Sequence, residues 1–259
     1  HAAAGYITRA LKQGQKVAIC EQMADPSTVK GVVPREVVRV ITPALCLEDD
    51  ALDAREDNYL VALHAGAEAF GLAAFEMSTG DLRACALPDH AAVIAELARL
   101  SPREVLFPPA GLDTLYEALE AGGGRAVLRR ETLDEEGVLQ EALGDEESVL
   151  SGPGRDAAAL ALAYARKNLA GGALQVQRVG HYDPRAHLVL DDVAVRNLEL
   201  VRTLSGEKAG SLLHTIDDTK TSMGARLLRR RLLTPLLERA AIRRRHDRVE
   251  AFVLDGSLR

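Results

Sequence analysis

No apolar run in this 259-residue sequence approaches the roughly 20 residues that a helix needs to cross a bilayer. The longest runs, Tyr59 to Leu63 and Phe70 to Phe75, are the size of strands, and no membrane partner is expected. Cysteine is scarce. Cys20, Cys46 and Cys85 are odd in number, widely spaced, and lack any Cys-x-x-Cys or histidine at metal-ligand spacing. That removes a zinc site and a disulfide framework and leaves reduced, mostly buried thiols in a chain expected to be cytoplasmic. No Gly-x-x-x-x-Gly-Lys-Ser/Thr occurs, so a phosphate-cradling loop and its lysine are missing. No targeting signal is visible. Residue 1 is a histidine, and His1 to Tyr6 reads straight into a helical pattern, as expected of a piece of a longer protein.

What is present describes an ordinary core-forming chain: 47% of residues are hydrophobic and mean hydropathy is −0.04, which suits one to three domains. The net charge of −6 conceals an asymmetry. Residues 201–259 carry 13 Lys and Arg against 7 Asp and Glu, a net of +6, leaving −12 for residues 1–200. Clustered cations of this kind can face a phosphate backbone, and a solvated helix surface accounts for them as simply.

Residues 1–34 predict a helix over Tyr6 to Gln13 stopped by Gly14, a strand over Lys16 to Ile19, and a loop through Pro26, Gly31 and Pro34. This is too little to fold alone. Residues 35–132 predict a compact α/β domain. Three strand runs, Tyr59 to Leu63, Phe70 to Met77 and Asp81 to Cys85, are separated by turn residues and form an antiparallel meander. A helix over His90 to Leu100 follows, capped by Asp89 and stopped at Ser101-Pro102. Val105 to Phe107 makes a strand, Leu112 to Ala121 a helix, and Ala126 to Leu128 a last strand. Three strands, helix, strand, helix, strand is the order of a ribonuclease-H-like fold, a mixed sheet with flanking helices. Phe70, Leu72, Ala73 and Phe75 make the second strand apolar on both faces, as a central covered strand requires. Residues 133–154, acidic and turn-rich, are expected to be a linker. Residues 155–259 are expected to be all-α, apart from Leu174 to Val179, which reads as a strand or an extended connector.

Two blocks of sequence carry a family resemblance. The first is Val17-Ala18-Ile19-Cys20-Glu21-Gln22, then Asp25-Pro26, then Arg35-Glu36-Val37-Val38-Arg39-Val40-Ile41-Thr42-Pro43. The second is Leu190 to Leu200, Ser211-Leu212-Leu213 and Thr219 to Leu228. In this order and spacing, over nearly the whole chain, they resemble the MutS family of DNA mismatch-recognition ATPases. The resemblance implies that residues 1–34 end a mismatch-reading domain, that residues 35–132 are the connector domain, and that residues 155–259 open the helical core, or lever, domain. The mismatch-reading Phe-x-Glu would lie upstream of residue 1. It further implies signal transmission between the DNA-reading and ATPase regions, a docking surface for MutL on the connector, ATP and Mg²⁺ bound elsewhere in the parent, mismatched duplex DNA as its ligand, and a homodimeric parent. For these residues no catalytic, cofactor or metal site is expected. Arg35, and Lys30 after it, are the candidate phosphate contacts, by their place in the loop after the mismatch-reading domain; a solvent-exposed basic residue is the simpler account of each.

The sequence departs from the family at Ala44-Leu45, where Gly-Thr is common, at Ser222, where proline is frequent, and at Arg231, where tryptophan is usual. Met223, Gly224, Leu227, Leu228 and Leu232 fall on one half of a helix and predict a packing face, with Arg231 near its centre. Ile242, Val249 and Val253 mark a similar face on the last helix, where His246 reads as a packing residue.

Two other functional classes remain to be weighed. A ribonuclease-H-like nuclease needs a carboxylate cluster for two metal ions, one of them in mid first strand. Tyr59 to Leu63 has none, and Glu76, Asp81, Glu96 and Glu104 read as surface residues. A stand-alone duplex-binding module would use Arg226, Arg229, Arg230 and Arg243 to Arg245.

Overall fold

The computed structural model describes residues 3–25, 31–46, 55–169 and 174–256. The chain divides into two units, His1–Tyr182 and Asp183–Arg259.

The first unit opens with helix α1 (Ala3–Lys12) and the strands β1 (Val17–Gln22) and β2 (Arg35–Ile41). β1 and β2 pair antiparallel from Val17↔Ile41 to Gln22↔Arg35, with a bulge at Ile19/Cys20. Ile7 and Leu11 of α1 bury against Ile41 and Cys46, with Val17 and Ile19 closing the cluster. The predicted break between residues 34 and 35 therefore falls inside a paired ribbon: β2 belongs with the N-terminal segment, because its backbone hydrogen bonds are made to β1.

The sheet follows. β3 (Tyr59–Ala65), β4 (Phe70–Glu76) and β5 (Asp81–Leu87) form the expected meander, and α2 (His90–Leu100), β6 (Glu104–Phe107), α3 (Asp113–Ala121) and β7 (Val127–Arg130) follow in the expected order. Asp89 caps α2 by accepting the Ala92 N–H at 2.8 Å, which satisfies one of the helix's free N-terminal donors. The sheet order is β7-β6-β3-β4-β5-β8, where β8 is Arg178–His181. β3–β4 and β4–β5 are antiparallel, whereas β3–β6, β6–β7 and β5–β8 are parallel. Leu174 to Val179 thus leads into a true edge strand, with Leu174, Val176 and Val179 packed on the core.

Because side chains alternate across a strand, the sheet builds two cores. On one face Tyr59, Val61, Leu63, Leu72, Ala74, Cys85, Val105 and Phe107 meet Val93 and Leu97 of α2 and Leu115 of α3. On the other, Leu60, Ala62, Ala73, Phe75, Leu82, Ala84 and Leu106 meet α5 (Gly152–Asn168). β4 is covered on both sides, as its composition requires. Each fully buried Leu or Phe contributes on the order of 2 kcal/mol.

The acidic segment 133–154 is not a linker, and α5 does not open the second unit. α4 (Val138–Leu143) and a 3-10 turn (Gly144–Val149) occupy the segment, and Val138, Leu139 and Leu150 bury in the core. α5 is buried on every side from Ala157 to Ala165, as befits a helix apolar all round. It covers β3, β4 and β5.

The second unit holds a 3-10 turn (Pro184–Ala186), α6 (Asp192–Asn197), α7 (Leu212–Ile216), α8 (Ser222–Leu233) and α9 (Arg239–Leu254), plus an isolated bridge His187↔Leu236. Thr221 caps α8 through the Gly224 N–H at 3.1 Å, and Glu238 caps α9 through Ala240 and Ala241. The apolar stripe predicted on α8 faces outward within this unit: Met223 is 73% exposed, Leu227 and Arg231 are exposed, and Ala225 is the buried residue of that helix. His246, Val249 and Val253 on α9 are exposed as well.

Candidate functional site

A buried carboxylate on the sheet is a main anchor for the N-terminal segment. Glu104, the first residue of β6, shares the α5-facing side of the strand with Leu106 and is fully buried. A bare charge there would cost several kcal/mol, and four donors satisfy it. Thr42 donates its hydroxyl and Ala44 its backbone N–H at 2.9 Å, both from the segment that follows β2. Arg129 of β7 donates Nε at 2.5 Å, and the Tyr164 hydroxyl of α5 donates at 3.2 Å. Burial first, and then the charge of Glu104, raises the pKa of the Tyr164 hydroxyl far above the ordinary tyrosine range, so it remains a donor.

The network extends back to the ribbon. Arg129 also donates to the Gly14 carbonyl at 3.0 Å. Lys16 pairs with Glu131, which Lys167 of α5 also reaches at 2.9 Å, and the Lys16 ammonium sits 4.8 Å from the Tyr164 ring centroid. Partial burial works against the Glu131 charge, but the two lysines outweigh it and hold its carboxyl below the usual glutamate value. Three parts of the chain, the N-terminal segment, the β6–β7 edge and α5, thus meet on two acids.

A second buried acid holds the other end of the domain. Glu96, on the last turns of α2, accepts the Tyr182 hydroxyl at 2.5 Å and pairs with Arg99 through its Nε, at 2.8 Å, and one terminal guanidinium nitrogen. Arg99 lies 5.7 Å from the Tyr182 ring centroid. Burial opposes the Arg99 charge, yet Glu96 more than offsets it and keeps the guanidinium protonated. Burial, then Cys85 and Glu96, raises the pKa of the Tyr182 hydroxyl well above its usual range. Tyr182 directly follows β8 and closes the first unit.

The candidate nuclease carboxylates are therefore not surface residues: Glu76, Asp81, Glu96 and Glu104 are all buried. Each has a structural partner. Glu76 accepts from Ser78 and from the Thr79 N–H at 2.8 Å in the β4–β5 turn, and Asp81 pairs with Arg83 at 2.6 Å. Glu76 and Asp81 do face one another across that hairpin. Among the described residues no group of three or more His, Cys, Asp or Glu is arranged to hold a metal ion.

Arg35 begins β2, exposed and opposite Gln22, so it stands on the paired ribbon rather than in a connecting loop. Lys30 lies outside the described residues. Of the arginines proposed for duplex binding, Arg243 and Arg244 are exposed on α9 while Arg226, Arg229, Arg230 and Arg245 are partly covered. Sequence reasoning passed over Thr42, Arg129, Tyr164 and Tyr182. A period-two reading of Glu104-Val105-Leu106-Phe107 carried the available signal, since it puts Glu104 on the same face as Leu106.

Comparison with known proteins matches this architecture segment by segment. Residues 1–50 match MutS domain I, residues 58–171 MutS domain II and residues 193–259 MutS domain III. The chain belongs to the MutS family. The DNA mismatch repair protein MutS of Sorangium cellulosum is 44% identical over 98% of this chain, and that of Syntrophobacter fumaroxidans 36% identical over all of it. The chain spans about 30% of the length of these MutS relatives. The domain I match takes in all of β2 along with its partner strand, and the domain II match includes all of α5, which covers the sheet. Among the described residues no helix is long and apolar enough to cross a membrane.

Proposed function

We propose that this chain is the connector region of a cytoplasmic mismatch-repair protein, flanked by the end of its mismatch-reading domain and the start of its core, and that it passes mechanical signals between DNA-reading and ATPase regions. The observation that carries this reading is the Glu104 junction. A segment in the domain I match is held to the sheet by hydrogen bonds and ion pairs to fully or partly buried acids, so a displacement of that segment is opposed by the sheet rather than absorbed by a slack linker. The order of three antiparallel strands followed by two parallel ones supports a ribonuclease-H-like label for the sheet. The helices that follow support the start of a core domain.

In this reading the chain has no catalytic residue, and ATP, Mg²⁺ and the homodimer contacts belong to the rest of the parent. Mismatched duplex DNA is held by the parent, with Arg35 as a phosphate contact that adds affinity without sequence information. The connector offers a surface to MutL. Calorimetric titration of this chain with the ATP-bound N-terminal domain of MutL tests that role. Binding in the micromolar range, at roughly −8 kcal/mol, is expected at low salt. Absence of heat from a folded chain would show that the connector has no docking surface of its own.

A further inference from the structure

The two buried acids that hold the ends of the sheet domain are joined by a single short segment. Glu96 lies near the end of α2 and Glu104 begins β6. Between them the backbone has little freedom. Ser101 closes α2 in the left-handed region at φ 47°, its N–H bonded to Leu97 O at 2.9 Å and its hydroxyl to Ala98 O at 3.0 Å. Pro102 is buried with its φ fixed by its ring. Arg103 donates its N–H to Tyr59 O at 3.0 Å, which fixes β6 beside β3. The segment runs as helix end, locked turn, proline and strand start, with no free loop.

Its two ends are tied to the two points where the chain enters and leaves the domain. The Glu104 end holds Thr42 and Ala44, where the chain enters the domain. The Glu96 end holds Tyr182, where the chain leaves it, beside the Tyr182 N–H bonded to Ala84 O at 3.0 Å. Building on the connector reading, we propose that residues 96–104 form a rigid coupling bar: seating of Thr42 on Glu104 and of Tyr182 on Glu96 are linked, so the two ends of the domain tighten and loosen together. A shift of β6 that releases Thr42 moves Glu96 with it, and the Tyr182 hydroxyl then loses its Glu96 contact. The link is a free energy between two sites and must act equally in both directions.

Amide hydrogen exchange of the 259-residue chain tests this with two conservative variants. Thr42→Val removes one donor to Glu104 and leaves the Arg129 pair; Tyr182→Phe removes one hydroxyl. The reporters are the Ala44 amide, bonded to Glu104, and the Tyr182 amide, bonded to Ala84. Thr42→Val is expected to speed exchange at Tyr182, and Tyr182→Phe to speed it at Ala44, each by roughly 5- to 10-fold, while the Ala73 amide in β4 keeps its rate. Acceleration confined to the mutated end, or equal acceleration at Ala73, overturns the proposal. If Thr42→Val does not fold, Tyr182→Phe alone still tests the link through the Ala44 amide. The result is independent of whether MutL binds, so a failed titration and a failed coupling remain separate outcomes.

Discussion

A Cβ built on Gly71 would lie 1.8 Å from the backbone oxygen of Pro153, closer than any non-bonded contact allows. The first turn of α5 sits directly on the backbone of β4, and it does the same on β5, where a Cβ on Gly154 would meet the Cys85 carbonyl oxygen at 3.0 Å. A helix this rich in alanine can come this close because its side chains are short, and Gly71 removes the last obstacle. Gly71→Ala has to push backbone from backbone, and we predict a loss of about 3 kcal/mol, the upper end of ordinary overpacking. Urea unfolding measures it. Gly5→Ala, where nothing lies within 4 Å, serves as the control and should gain up to about 1 kcal/mol from helix propensity.

The same contact explains what the sequence left hidden. The meander, α2, β6, α3 and β7 were legible to within two or three residues because each is bounded by a cap, a glycine or a proline, and because Leu72-Ala73-Ala74-Phe75 can only be a strand covered twice. The cover was not legible. Asp156 to Leu169 is a strong helix by composition, but composition does not say which sheet it covers, and the acidic residues before it resemble a linker until Val138, Leu139 and Leu150 are seen in the core. β2 was likewise assigned to the wrong side of a boundary because its partner strand lies across Pro26 and Pro34. Polar sites fared worse still. Glu104 looks like any strand-initial acid, and its four donors come from residues 42, 44, 129 and 164, a convergence that only the fold supplies.

Removing Glu104 should expose that convergence as an energy. Glu104→Leu leaves the Arg129 guanidinium, whose side chain is 17% exposed, without its main partner, and we predict a loss of about 3–5 kcal/mol. Arg129→Met alone leaves the acid buried and should cost a similar amount. The double variant should lose clearly less than the sum of the two, because neither charge then remains stranded. A strictly additive cycle in urea unfolding would show that the pair contributes nothing as a pair.

Acid should weaken the lysine clasp. Glu131 has its carboxyl below the ordinary 4.5 in the folded chain, because Lys16 and Lys167 outweigh the effect of partial burial. A lowered folded value means that the unfolded chain takes up the proton first as pH falls. The stabilisation is therefore complete above about pH 4.5 and is lost as pH drops through the folded value. Glu131→Gln should be less stable than the parent chain at pH 7 and lose that disadvantage at a pH below the folded value of Glu131. Unfolding midpoints that keep the same separation at both pH values would remove the two lysines as the cause.

Ser101 offers a gain rather than a loss. Its φ of 47° places a side chain in the left-handed region, which glycine adopts without the Cβ clash that other residues carry. The position closes α2, where a left-handed residue commonly terminates a helix. Ser101→Gly relieves the clash and gives up one hydroxyl contact to Ala98 O at 3.0 Å, which is exposed to water and so contributes little. The balance favours glycine by up to about 1 kcal/mol in unfolding experiments. The same substitution also tests the coupling bar from a second side, because glycine raises the freedom of the turn between Glu96 and Glu104. If the bar transmits through backbone stiffness, Ser101→Gly should reduce the cross-effect of Thr42→Val on the Tyr182 amide even as the domain becomes more stable, and a stabilised domain with undiminished cross-effect would place the transmission in the packed side chains of the sheet instead.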